Sequence, residues 1–175
     1  MRLLDQSFSA PAENLAADEV LLESAEQGRM PCSLRFWESP SFFVVIGSGQ
    51  HHGKAVHSFH CLRDGVPILR RCSAGGAVLQ GPGCLNFALA LSYERFPEVS
   101  DLQGSYRHIL DRVIEALSGI GISAVRAGVS DLTCNGLKIS GNAQRRRRHA
   151  CLHHGTLLYE VEWERMHRYL PEPPD

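Results

Sequence analysis

Hydrophobic and polar residues alternate in two neighbouring segments near the C-terminal end of the chain. From Leu137 to Ala143 every second residue is apolar or small, and a mostly apolar run follows from Leu152 to Tyr159. The dipeptide Asn135-Gly136 precedes the first segment and favours a type I′ turn, in which both central residues take positive φ. These patterns predict a strand after the turn and a buried partner strand beside it.

Helical periodicity marks two longer segments. Between Asp101 and Gly119 apolar residues recur every three or four positions, which predicts an amphipathic helix packed on the core. Its apolar stripe comprises Tyr106, Ile109, Leu110, Val113, Ile114 and Leu117. A second helix is predicted from Pro11, a residue type favoured in the first turn, to Gly28. Its predicted apolar face comprises Leu15, Val20, Leu21 and Leu22.

Shorter strand-like runs occupy much of the remaining chain. They are residues 34–37, 42–46, 66–69, 78–79, 85–91, 122–126 and 131–134, with short helices predicted at 54–62 and 163–170. Because strands outnumber helices and do not alternate regularly with them, we expect an α+β fold with a mixed β-sheet and flanking helices. A length of 175 residues and a hydrophobic content of 43% predict a single domain.

Composition narrows the classes of function. The formal net charge is −1, so bulk electrostatics give no reason to expect nucleic acid as a partner. Without an apolar run of membrane-spanning length or a signal-peptide pattern, the sequence predicts a cytoplasmic protein without a membrane partner. The six cysteines form no Cys-x-x-Cys pair and are expected to be free thiols, and the nine histidines complete no metal site.

The run Arg145-Arg146-Arg147-Arg148-His149 lies between the two C-terminal strands. Because no aromatic residues interleave with the arginines, the run does not fit base stacking on nucleic acid. Two interpretations stay open: a solvated loop, or a docking surface for an acidic partner domain.

Lys138 is the lysine of the alternating segment. Lysine is depleted from strands and costly to bury without an anion, so a lysine held on a sheet beside small residues suggests a substrate with negative charge. The alternative is a side chain that extends from the strand into solvent, as most lysines do.

A glycine-containing loop supplies the second candidate for anion binding. In Ser73-Ala74-Gly75-Gly76, glycine lets backbone N–H groups approach a phosphate without an intervening side chain. Such a pair alone is more typical of a tight turn. Arg70 and Arg71 precede the loop, and arginine grips phosphate oxygens in bidentate fashion while Lys138 would add a point charge. Together these residues predict a cradle for a phosphate group, which the resemblance described next would make that of an acyl-adenylate.

Two blocks of this sequence resemble the lipoate–protein ligase A family. The first comprises Arg70-Arg71-Cys72-Ser73-Ala74-Gly75-Gly76-Ala77-Val78 with Leu85-Asn86-Phe87 downstream. The second comprises Lys138-Ile139-Ser140-Gly141-Asn142-Ala143-Gln144 with Leu152-His153-His154-Gly155-Thr156-Leu157-Leu158. The resemblance implies a biotin/lipoate ligase-like catalytic domain, although the glycine-arginine-rich adenylate loop of biotin ligases is not visible here.

The resemblance also implies an activity. With ATP, accompanied by Mg²⁺, such an enzyme activates lipoate or octanoate as acyl-AMP. It then passes the acyl group to a lysine of a carrier domain, either the lipoyl domain of a 2-oxoacid dehydrogenase complex or the glycine cleavage H protein. In this sequence Lys138 would stabilise the developing charge.

The resemblance assigns binding roles to further positions. Arg71 and residues 76–79 would hold the nucleotide, and Asn86 would line the acyl or adenylate site. The full candidate binding set is Arg70, Arg71, Ser73, Gly75, Gly76, Ala77, Val78, Leu79, Asn86, Lys138 and Gly155.

A related branch, the octanoyltransferases, provides an alternative. These enzymes use no ATP and take octanoate from acyl carrier protein through a cysteine thioester, and Cys151-Leu152-His153-His154-Gly155 resembles their Cys-x-x-His-Gly setting. The turn Gln80-Gly81-Pro82-Gly83-Cys84-Leu85 is also similar to that branch, and the sequence departs from the ligase pattern at Ala74, Gln80 and Cys84. Cys151 would then be the nucleophile, activated by a nearby cation. Otherwise it is a buried small hydrophobe.

Two further points stay open in the sequence. Bacterial ligases of the resembled family usually carry a smaller accessory domain after the catalytic one, and nothing here could form it, so we expect either a separate accessory subunit or a fragment.

A third hypothesis is a non-catalytic subunit that binds a lipoylated protein. Lys138 and Arg70-Arg71 argue against it, because a pure binding module needs no paired phosphate ligands.

Overall fold

The strands outnumber the helices in the computed structural model, which describes residues 1–171. The strands are β1 Arg2–Asp5, β2 Cys32–Trp37, β3 Phe43–Ile46, β4 Ile68–Arg70, β5 Val78–Gln80, β6 Cys84–Ser92, β7 Ala124–Ala127, β8 Asp131–Cys134, β9 Leu137–Arg146 and β10 Ala150–Leu158. The helices are α1 Pro11–Glu26, α2 His52–Ala55, α3 Ser58–Arg63, α4 Leu102–Gly119 and α5 Trp163–Tyr169, with a 3₁₀ turn at Pro97–Val99.

Two sheets organise these elements. The larger has seven strands in the order β1-β2-β6-β10-β9-β8-β7, and the smaller has three in the order β4-β3-β5. Strand β1 runs parallel to β2, and β3 runs parallel to β4, whereas the other neighbouring strands are antiparallel. The expected α+β class with a mixed sheet and flanking helices is therefore confirmed.

The two long helices cover opposite faces of the large sheet. On one face α1 packs through Leu21, Leu22 and Ala25 against alanines of β6 and Leu152 of β10. On the other face Ile109 of α4 packs against Cys151. Neighbouring residues of a strand point to opposite faces, so Leu152 and Cys151 mark the two layers of the core.

The small sheet is joined to the large one through a third cluster. Trp37 of β2 packs with Phe43 and Val45 of β3, and Leu15 of α1 contacts the same group. The other face of the small sheet is covered by α3 and α5, whose Cys61 and Tyr169 pack against Val44 and Ile46. An open space remains between the small sheet and the α1 side of the large sheet.

The turn predicted at Asn135-Gly136 and the amphipathic helix predicted between Asp101 and Gly119 are confirmed. Asn135 and Gly136 both have positive φ, 51° and 78°, as a type I′ turn requires. Asp101 caps α4 by accepting a hydrogen bond from the backbone N–H of Gly104, 2.5 Å away. Leu110 and Leu117 lie in the core with the rest of the predicted stripe around them.

Several predicted boundaries differ. Val20 is 60% exposed, so it does not belong to the buried face of α1. The helix predicted at 54–62 is divided into α2 and α3, because Val56 turns into the core and His57 donates its backbone N–H to Tyr169 instead. Arg145 and Arg146 extend β9, so only residues 147–149 form the connection to β10.

Among the described residues, no helix has the length and apolar character that crossing a membrane requires.

Candidate active site

The space between the two sheets is a cleft of about 340 Å³. It is bounded by α1, β2, β3, the loop before β5, and the ends of β6, β9 and β10. It brings together eight of the residues selected from the sequence: Arg71, Gly75, Gly76, Ala77, Val78, Asn86, Lys138 and Gly155. The two sequence blocks therefore meet in one place.

A β-bulge aims Lys138 into this cleft. The pairing of β8 with β9 shifts between Leu132 and Thr133, so Asp131 lies opposite Gly141 and Thr133 lies opposite Lys138. Cross-strand partners share a face, so the shift places Lys138 on the face of Asp131 and Gly141, where strict alternation would separate Lys138 from Gly141. A bulge of this kind re-aims a side chain, here towards the cleft.

The bulge creates an ion pair at the cleft mouth. Lys138 Nζ lies 2.5 Å from Asp131 Oδ2, with the lysine side chain 56% exposed and the aspartate side chain 32% exposed. The pair lies directly over Gly141, where a Cβ would stand 3.4 Å from Lys138 Cε, an ordinary van der Waals distance. Ser130 Oγ donates to the other carboxylate oxygen, 3.2 Å away.

Arg71 organises the glycine-containing loop. Its guanidinium donates to Ser73 Oγ at 3.0 Å, to the Ala74 carbonyl at 2.8 Å and to the Gly76 carbonyl at 2.9 Å. Burial lowers the pKa of this guanidinium from its usual value. Three loop contacts thus fix the charge of Arg71 at the cleft wall before any ligand binds.

The loop requires glycine at a close approach to β3. Gly75 has a φ of 108°, and a Cβ at Gly47 would lie only 2.2 Å from the Gly75 carbonyl oxygen. Any side chain at Gly47 would therefore push the loop away.

Arg70 holds the neighbouring loop rather than the cleft. Its guanidinium donates to the carbonyls of Gly47 at 2.8 Å, Ser48 at 3.1 Å and Gln50 at 2.8 Å. Its structural contacts are therefore with the 47–50 segment, and it does not line the cleft.

A buried polar chain runs from α1 to the loop. Arg35 donates to Asp18 Oδ1 at 2.6 Å, Trp37 Nε1 donates to Asp18 Oδ2 at 3.2 Å, and His154 Nδ1 lies 3.9 Å from the same oxygen. His154 Nε2 then lies 2.6 Å from Ser73 Oγ. Ser73 is fully buried and acts within this chain instead of lining the cleft.

Three polar side chains form a closed ring at the cleft floor. Gln80 donates to Thr156 Oγ1 at 2.6 Å, Thr156 donates to Asn86 Oδ1 at 2.9 Å, and Asn86 donates to Gln80 Oε1 at 3.0 Å. Gln80 is one of the positions at which the sequence departs from the ligase pattern. Here its amide completes the ring, which fixes the orientation of Asn86.

Cys151 and Leu79 lie outside the cleft. Leu79 belongs to β5 and is buried on the face of the small sheet that α3 and α5 cover. Cys151 is fully buried on the α4 side of the large sheet, and burial raises the pKa of its thiol to about 11. Its cross-strand partner on β9 is Arg146. Arg146 is eight residues beyond Lys138 on β9. Strand geometry therefore separates Cys151 from the start of β9 by roughly 26 Å. Cys151 is therefore neither exposed to solvent nor close to Lys138.

Several cleft residues were not selected from the sequence. Asp131, Asn142, His154 and Thr156 line it, as do Leu15, Trp37 and Val45 at its apolar end. His154 and Thr156 belong to the second sequence block and could have been selected from it. Asp131 depends on the bulge, which no periodicity reveals.

The charge of the cleft is defined by few groups. Its lining includes the cations Arg71 and Lys138 and the carboxylates Asp18 and Asp131. Asp18 is bonded to Arg35 and Trp37, so its charge is already compensated. Over residues 1–171 no group of three or more histidine, cysteine, aspartate or glutamate side chains could hold a metal ion. The arrangement fits a ligand with an anionic centre and an apolar arm.

This combination of fold and site is found in a known class of protein. A model of the lipoyl protein ligase A/B catalytic domain matches residues 10–175, and the chain belongs to this family. It is 28% identical over 168 residues to the probable lipoate-protein ligase A of Mycoplasma pneumoniae, and 32% identical over 174 residues to the lipoate-protein ligase A of Blochmanniella floridana. These alignments cover 96% and 97% of this chain but 48% of each relative. The chain thus spans about half the length of the curated relatives it matches.

Solved structures share the whole fold. A bi-partite lipoate protein ligase from Thermoplasma acidophilum, described with its E2 lipoyl domain, has a TM-score of 0.88 at 26% identity, covering 99% of this chain and 67% of that chain. A putative lipoate protein ligase from the same organism with bound lipoic acid has a TM-score of 0.86 at 26% identity, covering 98% and 73%. A lipoate-protein ligase A bound with ATP has a TM-score of 0.86 at 27% identity, covering 98% and 72%.

Proposed function

We propose that this chain activates lipoate or octanoate with ATP and transfers the acyl group to a lysine of a lipoyl carrier domain. The observation that carries the proposal is the cleft itself, in which Lys138, the loop held by Arg71 and an apolar end meet. Similar chains that bind lipoic acid and ATP support both substrates.

In the first step the substrate carboxylate would attack the α-phosphorus of ATP. A carboxylate oxygen forms the new P–O bond, and pyrophosphate leaves with the electrons of the bond that breaks. Negative charge grows on the α-phosphate oxygens, and an ammonium and a guanidinium beside them stabilise it. Lys138 and Arg71 have this role, while Leu15, Trp37 and Val45 surround the acyl chain.

Fixed groups keep the site organised before substrate binds. Arg71 is already held by three loop contacts, and the ring of Gln80, Asn86 and Thr156 presents the floor in one orientation. Preorganised dipoles and charges need no rearrangement when charge develops, which is why such sites accelerate acyl activation.

In the second step a carrier lysine would attack the acyl carbon of acyl-AMP. The new amide bond forms as the bond from the acyl carbon to the phosphate oxygen breaks, and AMP leaves. The E2 lipoyl domain described with a similar ligase supports a lipoyl-type carrier. The H protein of the glycine cleavage system is the second carrier we propose.

Magnesium fits this site only together with the nucleotide. Mg²⁺ is usually held by one or two carboxylates plus substrate phosphates, and it would neutralise phosphate charge during activation. Of the described cleft residues, Asp131 is the carboxylate at the mouth, and Asp18 is engaged by Arg35 and Trp37. Asp131 is itself paired with Lys138, so the phosphates of the nucleotide would hold such an ion.

Mass spectrometry of an apo lipoyl domain tests the proposal. The purified chain is incubated with ATP, lipoate or octanoate and the apo domain, and in parallel with octanoyl-acyl carrier protein without ATP. We expect an acyl mass on the carrier lysine only with ATP. An ATP-independent octanoyl thioester on Cys151 would support the transferase alternative instead. Carrier binding without acylation, even with a supplied adenylate, would support the non-catalytic subunit.

An accessory subunit is a separate part of the proposal. If acylation fails with ATP but succeeds when synthetic octanoyl-AMP is supplied, the activation step needs a second protein. The bi-partite character of a similar ligase supports this arrangement.

A further inference from the structure

We infer that Asp131 is the residue that receives the incoming carrier lysine and takes the proton released as the amide bond forms. This inference rests on the proposed function and deepens its second step. Its starting point is the ion pair at the cleft mouth, in which the ammonium of Lys138 lies 2.5 Å from Asp131 Oδ2. The ammonium of Lys138 therefore occupies the position beside Asp131 Oδ2 that the ammonium of the carrier lysine would take.

The carboxylate of Asp131 is oriented by its neighbours. Ser130 Oγ donates to Oδ1 at 3.2 Å, and the Ser130 carbonyl is itself held by Asn142 Nδ2 at 2.7 Å. The other oxygen, Oδ2, pairs with Lys138, and the aspartate side chain is 32% exposed. Asp131 thus offers one oriented oxygen to a cation that comes from solvent.

Other bases of the cleft are engaged. Both oxygens of Asp18 accept hydrogen bonds, from Arg35 and from Trp37. His154 places Nε2 against Ser73 and Nδ1 towards Asp18. Within residues 1–171, Asp131 is therefore the cleft-lining base whose side chain is also open to a partner.

An exchange of ion-pair partners follows from this geometry. When the acyl-adenylate is bound, its phosphate is a stronger attraction for Lys138 than a half-exposed carboxylate, because the lysine can approach both phosphate and acyl oxygens. Lys138 then turns from Asp131 to the adenylate, and Asp131 is left as an uncompensated anion at the mouth. The carrier lysine is a cation at neutral pH and replaces Lys138 there.

The proton balance assigns a chemical role to Asp131. The carrier ammonium loses its first proton to solvent, and the neutral amine attacks the acyl carbon. The nitrogen becomes cationic as the C–N bond forms, and Asp131 takes its second proton. The acyl C–O bond to phosphate breaks, and AMP leaves with that electron pair.

The test separates transfer from adenylate binding. Asp131→Asn keeps the shape of the side chain and removes its charge and basicity. Transfer from synthetic octanoyl-AMP to an apo lipoyl domain is expected to fall by about 10²–10³-fold. The affinity for a non-hydrolysable octanoyl-adenylate analogue, measured by calorimetry, is expected to stay unchanged. Asp131→Glu should restore part of the transfer rate.

Asp111→Asn is the matched control. Asp111 also pairs with a cation on the sheet, Arg126 Nε at 3.1 Å, but it lies on α4 away from the cleft. This variant should transfer at the unmodified rate.

Two outcomes would overturn the inference. One is transfer by Asp131→Asn at the rate of the unmodified chain. The other is an equal loss of transfer and of analogue affinity, which would make Asp131 part of adenylate or metal binding. If the unmodified chain neither transfers from octanoyl-AMP nor binds the analogue, the proposed function fails first, and the inference fails with it.

Discussion

The Ser73 hydroxyl lies 2.6 Å from His154 Nε2, and this contact joins two segments that are 81 residues apart in the chain. Ser73 Oγ also accepts a hydrogen bond from Arg71 Nε, so its own proton is free to go to His154. On the other side of the ring, His154 Nδ1 faces Asp18 Oδ2 at 3.9 Å. The position of Arg71 at the cleft wall is thus linked to the buried charge pair of α1.

Lys138→Ala should slow activation strongly while leaving the fold intact. The ammonium is the mobile cation of the cleft, so its loss should lower the rate of acyl-AMP formation by about 10²–10³-fold. Its ion pair with Asp131 is partly exposed, so the free energy of unfolding should change by no more than about 1 kcal/mol. Pyrophosphate release and urea denaturation measure the two effects.

Lys54→Ala provides the control for that substitution. The chain has two lysines, and Lys54 lies exposed on α2, outside the cleft lining. Pyrophosphate release by Lys54→Ala should match that of the unmodified chain. Equal rates in both variants would remove Lys138 from the proposed mechanism.

Cys151 is expected to be dispensable for acylation. Its thiol is fully buried, and its raised pKa of about 11 keeps it protonated at neutral pH. We therefore expect Cys151→Ala to retain ATP-dependent transfer. Cys151→Ser should lower the free energy of unfolding by about 1–3 kcal/mol, because it places a hydroxyl in an apolar cluster.

Alkylation tests the burial of Cys151 directly. Peptide mapping after brief exposure to iodoacetamide should find Cys134 modified, since it is partly exposed, and Cys151 unmodified. Loss of activity in Cys151→Ala, or rapid labelling of Cys151 in the native chain, would favour the thioester alternative.

The alternation rule explains much of what the sequence could and could not predict. It placed the strand that follows Asn135-Gly136 and its partner strand from Leu152, which pair as β9 and β10. The two resemblance blocks selected Arg71, Asn86 and Lys138, which line the cleft. Cys151 and His154 are three residues apart on one strand, so they point to opposite faces, and only His154 reaches the cleft.

Asp131 shows why other parts of the site could not be predicted. Its contact with Lys138 requires a shift in register between β8 and β9, which depends on how the strands pair and not on either strand alone. The ring of Gln80, Asn86 and Thr156 likewise depends on the alignment of β5, β6 and β10. Local patterns specify elements, whereas these contacts arise from cross-strand register.

Two glycines on paired strands should respond differently to alanine. At Gly155 a Cβ would lie 1.9 Å from Asn142 Oδ1 and 2.8 Å from Phe87 Cζ. Gly155→Ala should therefore destabilise the fold by about 1–3 kcal/mol through overpacking. At Gly141 a Cβ would meet only Lys138 Cε at 3.4 Å and Nζ at 3.5 Å, and Asp131 Oδ1 at 3.8 Å. Gly141→Ala should change stability by less than about 1 kcal/mol.

Thermal and urea unfolding of the two variants measure this contrast. A Gly155→Ala variant as stable as the unmodified chain would mean that Asn142 can move without cost. That result would contradict the fixed position of Asn142 that holds Ser130.

His153 should make the fold sensitive to acid. The ring is fully buried between Phe87 and Tyr106, and burial lowers its pKa from 6.5 to about 3. Gln144 Nε2 lies 3.0 Å from Nδ1, so the neutral ring carries its proton on Nε2, which faces Asn142 Oδ1 at 3.3 Å. Below pH 6.5 the His153 ring binds a proton in the unfolded chain but stays neutral in the folded chain. Stability contributed by this site is therefore lost as the pH falls from about 6.5 towards 3, by up to about 1.4 kcal/mol per pH unit.

Urea denaturation at pH 7.5, 6.5, 5.5 and 4.5 measures the slope, with His153→Gln as the comparison. Glutamine can accept from Gln144 and donate to Asn142, yet it does not titrate, so the variant should lack this part of the pH dependence. Between pH 6.5 and 4.5 the unmodified chain should lose about 2 kcal/mol more than the variant. His108→Gln, a partly exposed histidine near Glu98, should retain the steep slope of the unmodified chain. Parallel curves for the unmodified chain and His153→Gln would show that other groups control acid unfolding.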